Sequence, residues 1–222
     1  MKKIAVVYTS MGGLVKTMNG LLKETLPDAE IVNIADDSLI REVIRAGGVT
    51  DGVRERMMHY FRAAETLVPD MIISACSSVG AVAEEADRLL ETPVVRIDRA
   101  MIEAALERGT RIGVLASLGT TVEPTCDYIR RIAEERGMRV EVLPKVAQGA
   151  YEANAAGNAA EHDALIKKAA DELSGAADVI ILAQGSMARM ERLLEERLNK
   201  PVFSSPALCV KSAASYLNGG AK

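Results

Sequence analysis

The chain has 222 residues, of which 49% are hydrophobic and 26% charged, and its formal net charge is −4 at pH 7. This length accommodates two lobes of about 100 residues each, and the absence of a Lys/Arg cluster excludes the electrostatic footprint of a nucleic-acid-binding protein. No apolar run reaches the roughly 18 residues of a membrane span, and Met1-Lys2-Lys3 leads directly into a predicted strand rather than into a signal peptide.

Short β-branched runs alternate with longer stretches at helical spacing along the whole chain. Runs that are apolar on both faces are typical of buried parallel strands, and their alternation with helices indicates βαβ units. Strands are predicted, in chain order, near 3–9, 29–35, 70–76, 93–97, 111–117, 139–144, 177–183 and 201–204. Helices are predicted at 14–26, 38–66 with a break at Gly47-Gly48, 79–90, 122–136, 147–173 with a break near 156–158, 187–198 and after Pro206.

Three of the apolar runs of the first half recur in the second half at one fixed offset. Their first residues pair as Lys3 with Arg111, Asp70 with Asp178, and Thr92-Pro93 with Lys200-Pro201. A constant offset over three runs indicates two related lobes. We therefore predict an α/β fold of two pseudo-symmetric lobes, each with a four-stranded, mostly parallel sheet flanked by helices. The active site is expected in the cleft between the lobes. The predicted lobes are 1–98 plus 206–222 and 99–205.

Four turns that follow predicted strands are rich in hydroxyls, amides and glycine. Ligands of parallel α/β sheets bind at such turns, where the next helix offers free N–H groups, although Ser, Thr and Gly also cap helices for structural reasons alone. The composition of these turns suits a small carboxylate. The predicted substrate-binding residues are Thr9, Ser10, Ser77, Ser78, Gly119, Thr120, Thr121, Gly185 and Ser186.

The two halves differ in the residue that follows their third strand, which is Cys76 in the first half and Gln184 in the second. The start of a helix lowers the pKa of a thiol, so we expect Cys76 to be a reactive thiolate. Such a group can remove or return a proton beside a carboxylate. Cys126 and Cys209, which lie in helical patterns, are interpreted as buried packing residues.

The remaining polar candidates carry weaker signals. His59 is expected on a solvated helix face and His162 at the surface, as a cap residue of its helix. Arg96 and Asp98 are candidates for the cleft rim or for a salt bridge between lobes. An odd number of cysteines at wide spacing argues against a disulfide framework and for the cytoplasm, and we expect neither a metal nor a cofactor.

The residues at these turns resemble the aspartate/glutamate/hydantoin racemase superfamily, which contains cofactor-independent enzymes. The resemblance spans nearly the whole chain and is carried by Thr9-Ser10, Cys76-Ser77-Ser78, Gly119-Thr120-Thr121 with Pro124-Thr125, and the strand at 179–182. In that family two cysteines flank the substrate α-carbon, one removing a proton and the other delivering one. Cys76 occupies the first of these positions and Gln184 the second, which marks an atypical member.

The resemblance implies a racemase/isomerase-type enzyme that acts at the carbon next to the carboxylate of a small acid. Cys76 would be the general acid or base, and Gln184 would donate a hydrogen bond to the developing enolate. A single-cysteine decarboxylase of a small carboxylic acid, of the kind that this family also contains, is an alternative.

Two further alternatives come from the turn after the first strand and from the predicted cleft. The turn resembles that of flavodoxin-like FMN-binding proteins, but only 3% of the residues are aromatic, which leaves few stacking partners for a flavin. The cleft would also suit a non-catalytic metabolite-binding module. We expect a homo-oligomer with a small carboxylate substrate and with no nucleic-acid or membrane partner.

Overall fold

The computed structural model describes residues 1–219. Two compact units divide the chain: unit 1 is Met1–Arg99 together with the segment from Pro206 onward, and unit 2 is Ala100–Ser205. Each unit contains a four-stranded parallel sheet flanked by helices, so the predicted α/β class with two such sheets is confirmed. The end of the predicted first lobe, 220–222, lies outside the described residues.

The strands are β1 Lys3–Tyr8, β2 Glu30–Ala35, β3 Met71–Ser74, β4 Val94–Arg96, β5 Arg111–Ala116, β6 Glu141–Val146, β7 Val179–Leu182 and β8 Val202–Ser204. The α-helices are α1 Gly13–Thr25, α2 Asp37–Ala46, α3 Asp51–Glu65, α4 Gly80–Leu89, α5 Arg99–Leu106, α6 Val122–Glu135, α7 Ala150–Ala155, α8 Ala159–Ser174, α9 Glu191–Leu198 and α10 Ser205–Leu217. Short 3₁₀ segments lie at Ser77–Val79, Gly119–Thr121 and Gly185–Met190. Among the described residues, no helix is long and apolar enough to cross a membrane.

The sequence repeat is also a repeat of strand register. The sheets have the orders β2-β1-β3-β4 and β6-β5-β7-β8. Ile4 pairs with Met71 in the first sheet, and Ile112 pairs with Val179 in the second. Ile112 and Val179 are the residues that the sequence offset assigns to Ile4 and Met71, so this offset places the same backbone groups at the same edge of each sheet.

In each unit, one aspartate forms a hydrogen bond with the backbone at the amino end of the central strand. The carboxylate of Asp70 accepts a hydrogen bond of 2.8 Å from the backbone N–H of Lys3, and Asp178 accepts one of 2.9 Å from Arg111. The hydrogen bonds that Arg111 donates from its side chain and backbone lower the pKa of Asp178 to about 2. These equivalent bonds explain why an Asp starts the third apolar run of both halves.

Both predicted helix breaks are present and have local causes. Gly47 ends α2 with a φ of +73°, a conformation that glycine adopts without a steric penalty, and Thr50 then caps α3 through the N–H of Val53. In unit 2, Gly157 has a φ of +76° and Asn158 caps α8 through the N–H of Glu161. Cap chemistry, which can be read from sequence, therefore sets these boundaries.

Two element predictions in unit 2 were displaced. The strand expected at 139–144 is Glu141–Val146. It lies at the edge of its sheet, where Pro144 is tolerated. Its ends are set by the pairing with β5 rather than by apolar alternation. The helix expected from 187 begins as α-helix only at Glu191, because the preceding Gly185–Met190 segment is wound as 3₁₀.

The sheet of unit 1 is covered by apolar side chains on both faces. Helices α2, α3 and α4 cover one face, in a cluster that includes Val7, Ile72 and Phe61. The other face, which includes Ile4 and Ile73, packs against α1 and α10. The carboxyl end of this sheet thus lies between two packed layers, which hold the turns described next.

Candidate active site

In unit 1, the carboxyl ends of β1 and β3 bring Thr9 and Cys76 together. A backbone hydrogen bond of 2.9 Å from the N–H of Ala75 to the carbonyl of Val7 extends the strand pairing to the residue before Cys76. The hydroxyls of Thr9 and Ser78 and the backbone N–H groups of Ser78 and Val79 act to lower the pKa of the Cys76 thiol. Four donors therefore favour its charged form, although the sulfur does not cap the helical segment that follows it.

Burial nevertheless raises the pKa of the Cys76 thiol, and this effect exceeds the opposing effect of the four hydrogen bonds. The prediction of a lowered pKa was wrong. The sulfur packs against the apolar cluster of the α2–α4 face, so a thiolate there loses hydration that the donors replace only in part. The helical segment directly after Cys76 is also only three residues of 3₁₀ helix. At neutral pH this geometry favours a protonated thiol.

In unit 2, the equivalent position is built around Gln184. Its Oε1 accepts hydrogen bonds from the backbone N–H of Ser117 at 2.8 Å and from the hydroxyl of Ser117 at 3.3 Å. Its Nε2 donates to the carbonyl of Leu118 at 3.4 Å. The sequence offset assigns Ser117 to Thr9 and Gln184 to Cys76, so the two units make the same contact with different chemistry.

Two hydroxyls beside this turn are buried without a partner among residues 1–219. They are the Oγ1 atoms of Thr120, in the 3₁₀ segment after β5, and of Thr125, near the start of α6. An unsatisfied buried polar group costs about 1–3 kcal/mol, so a ligand oxygen or a water that bonds to these hydroxyls would be stabilised. Thr125 was part of the family pattern but was not among the predicted binding residues; the orphaned hydroxyl is visible only in the structure.

The predicted residues separate into two groups. The carboxyl edge of the unit 1 sheet carries Thr9, Ser10, Cys76, Ser77 and Ser78, and the corresponding edge of unit 2 carries Gly119, Thr120, Thr121, Gln184, Gly185 and Ser186. Thr9, Ser77, Ser78 and Thr121 are buried, whereas Gly119 and Ser186 are exposed. Within each unit the structure therefore gathers the turns at one edge.

His162 does not lie at the surface as predicted. It is only 1% exposed, because its place in the helical spacing is on the core-facing side of α8, one turn before Ile166. Its Nδ1 lies 2.9 Å from a carboxylate oxygen of Asp163, whereas its buried Nε2 has no partner among the described residues. His59 is exposed, as predicted.

Arg96 and Asp98 pair with each other inside unit 1. They are 4% and 0% exposed. The guanidinium donates from Nε and Nη2 to the two oxygens of Asp98, at 2.8 and 2.7 Å. Their close spacing at the end of β4 allows this bidentate pair.

A known family model matches this chain over most of its length. The model for Asp/Glu/Hydantoin racemase matches residues 13–213. The chain belongs to this family. Comparison with curated proteins gave no match.

Solved structures of racemases and a decarboxylase share the fold of this Asp/Glu/hydantoin racemase family member. An allantoin racemase from Klebsiella pneumoniae is 18% identical with a TM-score of 0.69, over 100% of this chain and 90% of that one. A glutamate racemase isoform from Bacillus anthracis is 20% identical with a TM-score of 0.75, over 98% and 82%. Unliganded arylmalonate decarboxylase is 16% identical with a TM-score of 0.60, over 100% and 95%. At these identities the similarity shows the fold and leaves the reaction to the site.

Proposed function

We propose that this member of the racemase family is a cofactor-independent enzyme that transfers a proton at the carbon next to the carboxylate of a small acid. Cys76 is the proton-carrying group. The observation that carries the proposal is the position of Cys76 beyond the carboxyl end of β3 and directly before the Ser77–Val79 segment, where donors from Thr9, Ser78 and Val79 favour its charged form. Cys126 and Cys209, by contrast, are buried, and burial raises their pKa values to about 11 and about 12.

The raised pKa of Cys76 makes the protonated thiol its main form. In the exchange of an α-hydrogen, the minor thiolate form first takes that proton, and the electron pair of the C–H bond becomes the enolate. The thiol then gives its proton to the α-carbon of the enolate, and the electron pair of the broken S–H bond stays on sulfur. The donors from Thr9, Ser78 and Val79 then stabilise the thiolate that this step produces. The site is thus better matched to the charge that develops during the reaction than to the resting thiol.

Gln184 acts as a hydrogen-bond donor in this proposal. Ser117 occupies its amide oxygen, and one N–H of its amide nitrogen bonds to the carbonyl of Leu118. The other N–H, a donor only, is assigned to a developing enolate oxygen. An amide has no pKa at which it exchanges protons in water, so the face of the substrate opposite Cys76 receives no proton from Gln184. The proposed enzyme therefore lacks the second thiol expected from the family resemblance.

The substrate carboxylate is assigned to the hydroxyls of the same turns. Thr120 and Thr125 each present a buried Oγ1 without a partner among the described residues, and Ser10, Ser77 and Ser186 supply further hydroxyls. The residues assigned to carboxylate binding carry no charge. Hydroxyl and backbone donors bind a carboxylate without the long-range attraction of a cation, which favours a small, compact acid.

Decarboxylation is the second candidate, and the protonated state of Cys76 favours it. The bond between the α-carbon and a second carboxylate breaks, CO₂ leaves, and the electron pair remains on carbon as an enolate. The proton of Cys76 then moves to that carbon, and the thiolate regains a proton from water. These steps need one proton donor and no base. Cys76 provides the proton, and Gln184 provides a hydrogen bond to the enolate.

Incubation in D₂O with L- and D-glutamate, allantoin and an arylmalonate, followed by NMR, tests both candidates. We expect α-hydrogen exchange or loss of CO₂ with at least one substrate, abolished in Cys76→Ser and retained in the matched variant Cys126→Ala. Turnover that persists in Cys76→Ser would refute the role of the thiol. Equal interconversion of two enantiomers by the unmodified protein would refute the role given to Gln184.

A further inference from the structure

The guanidinium of Arg96 connects the end of β4 with the start of α4. In addition to its two bonds with Asp98, it donates from Nη1 to Oε1 of Glu84, on the first turns of α4, at 2.5 Å. With 4% of its surface exposed, Arg96 is held in a single orientation by two carboxylates. Such bidentate geometry is specific to arginine, because a lysine ammonium cannot reproduce the planar fork.

Gly80, the first residue of α4, lies directly against this guanidinium. A Cβ at Gly80 would lie 2.2 Å from Cζ of Arg96 and 2.5 Å from each of its Nη atoms. These contacts are too short for any side chain, so the guanidinium can occupy this position only when residue 80 is glycine. Because Gly80 directly follows the Ser77–Val79 segment, the guanidinium abuts the end of the turn that begins at Cys76.

Unit 2 forms the equivalent sheet and helices without this arrangement. At the offset that relates the two halves, Gly80 corresponds to Ala188, Arg96 to Ser204 and Asp98 to Pro206. There the end of β8 is joined to the preceding helix α9 by a hydrogen bond of 2.8 Å from the N–H of Ser204 to Glu191. The glycine and the arginine are therefore both replaced in unit 2, whose turn carries Gln184 rather than a thiol, and the position assigned to Asp98 is a proline where the chain returns to unit 1.

We infer that Arg96 is a positioning residue for Cys76. By lying across Gly80 and binding Asp98 and Glu84, it fixes the backbone of the 76–80 turn, which carries Cys76, Ser78 and Val79. Its catalytic meaning rests on the proposed function, since that function gives the thiolate a role. The geometric part of the inference does not depend on turnover.

The test measures the rate of Cys76 alkylation by iodoacetamide as a function of pH, with each cysteine followed separately by mass spectrometry. Only the thiolate reacts. Arg96→Lys and Gly80→Ala are expected to misdirect at least one donor, to raise the pKa of Cys76 further and to lower the alkylation rate below that pKa about tenfold, the equivalent of one pKa unit. Ser204→Ala, which removes part of the tie in unit 2, is the control and should leave the Cys76 profile unchanged.

The outcomes separate the inference from the proposed function. If Arg96→Lys lowers the melting temperature but leaves the alkylation profile of Cys76 unchanged, Arg96 only stabilises the fold and the inference is overturned. If Gly80→Ala does not fold, the profile of Arg96→Lys alone decides. If Cys76→Ser keeps full turnover, the proposed function fails, whereas a shifted alkylation profile in Arg96→Lys would still support the positioning of the thiol.

Discussion

The backbone N–H of Ser117 donates a hydrogen bond of 2.8 Å to Oε1 of Gln184, and this bond determines which end of the amide is available for a ligand. The side chain cannot rotate its oxygen outward without leaving the buried N–H of Ser117 unpaired. Gln184 is therefore a fixed donor, whereas Cys76 at the equivalent position of unit 1 carries a proton that it can transfer.

Gln184→Glu is expected to lower kcat by about 10²–10³-fold, the usual effect of losing one donor to a developing oxyanion. A carboxylate still accepts the bond from Ser117, so the fold should be retained, but the donor is replaced by a negative charge. Steady-state kinetics and the melting temperature measure the two effects. The exposed Gln148→Glu is the charge-matched control; an equal loss in both variants would contradict a specific role.

Proton exchange with D₂O should occur on one face of the substrate only, because Cys76 alone carries a transferable proton. NMR in D₂O would show exchange of one enantiomer with retention, or decarboxylation to a single enantiomer. Gln184→Cys adds a second thiol at the equivalent position and should introduce racemisation. Exchange of both enantiomers by the unmodified protein would instead indicate a second base, and the buried His162 would then be examined first.

Cys76 should alkylate slowly at neutral pH and faster as the pH rises. Burial raises its pKa above the roughly 8.5 of a free cysteine, so the thiolate fraction grows only on the alkaline side. Since Cys76 is partly exposed whereas Cys126 and Cys209 are buried, it should still be the first of the three to react, and substrate should protect it. Labelling that is already complete at neutral pH within seconds would contradict the raised pKa.

Thr125→Val should separate stability from binding. The hydroxyl of Thr125 is buried without a partner among the described residues, so its replacement by a methyl group of similar size removes a desolvation cost of about 1–3 kcal/mol. The melting temperature should rise or stay unchanged, while KM rises about tenfold if the hydroxyl binds the substrate. In the exposed control Thr17→Val KM should not change. A lower melting temperature with normal KM would show that the hydroxyl is structural.

Asp178→Asn should destabilise unit 2 at neutral pH but not in strong acid. Hydrogen bonds from Arg111 lower the pKa of Asp178 to about 2 in the folded protein, below the roughly 3.9 of an unfolded chain. Its contribution is therefore complete above about pH 4 and disappears as the pH falls towards 2. Urea denaturation of both proteins at pH 7 and at pH 2–4 measures the difference; a constant difference would show that ionisation has no part in it.

The sequence could predict what depends on periodicity. The offset between the halves anticipated the register that pairs Ile4 with Met71 and Ile112 with Val179, and with it the position of Cys76 beyond the end of β3. Glycines and polar caps likewise predicted the breaks before α3 and α8. The helix breaks are local features, so single residues determine them.

The properties that sequence reasoning missed depend on packing between distant segments. The pKa of Cys76 is set by how much water its sulfur loses against α2–α4, and the burial of His162 by how α8 turns on its sheet. The contact of Arg96 with Gly80 joins the end of a strand to the start of the helix before it. Neither a glycine nor an arginine in the sequence predicts this contact by itself.

The cover that α10 provides has a consequence for synthesis on the ribosome. Cys209, Val210 and Leu217 of this helix complete the apolar layer over Ile4 and Tyr8 of the first strand, yet they are translated only after the whole of unit 2. Until then the part of this face that α1 does not cover stays exposed to water, so the nascent chain carries an exposed apolar surface through most of its elongation. Unit 2, whose residues are contiguous, has no such wait, and we expect it to reach its native state while unit 1 is still incomplete.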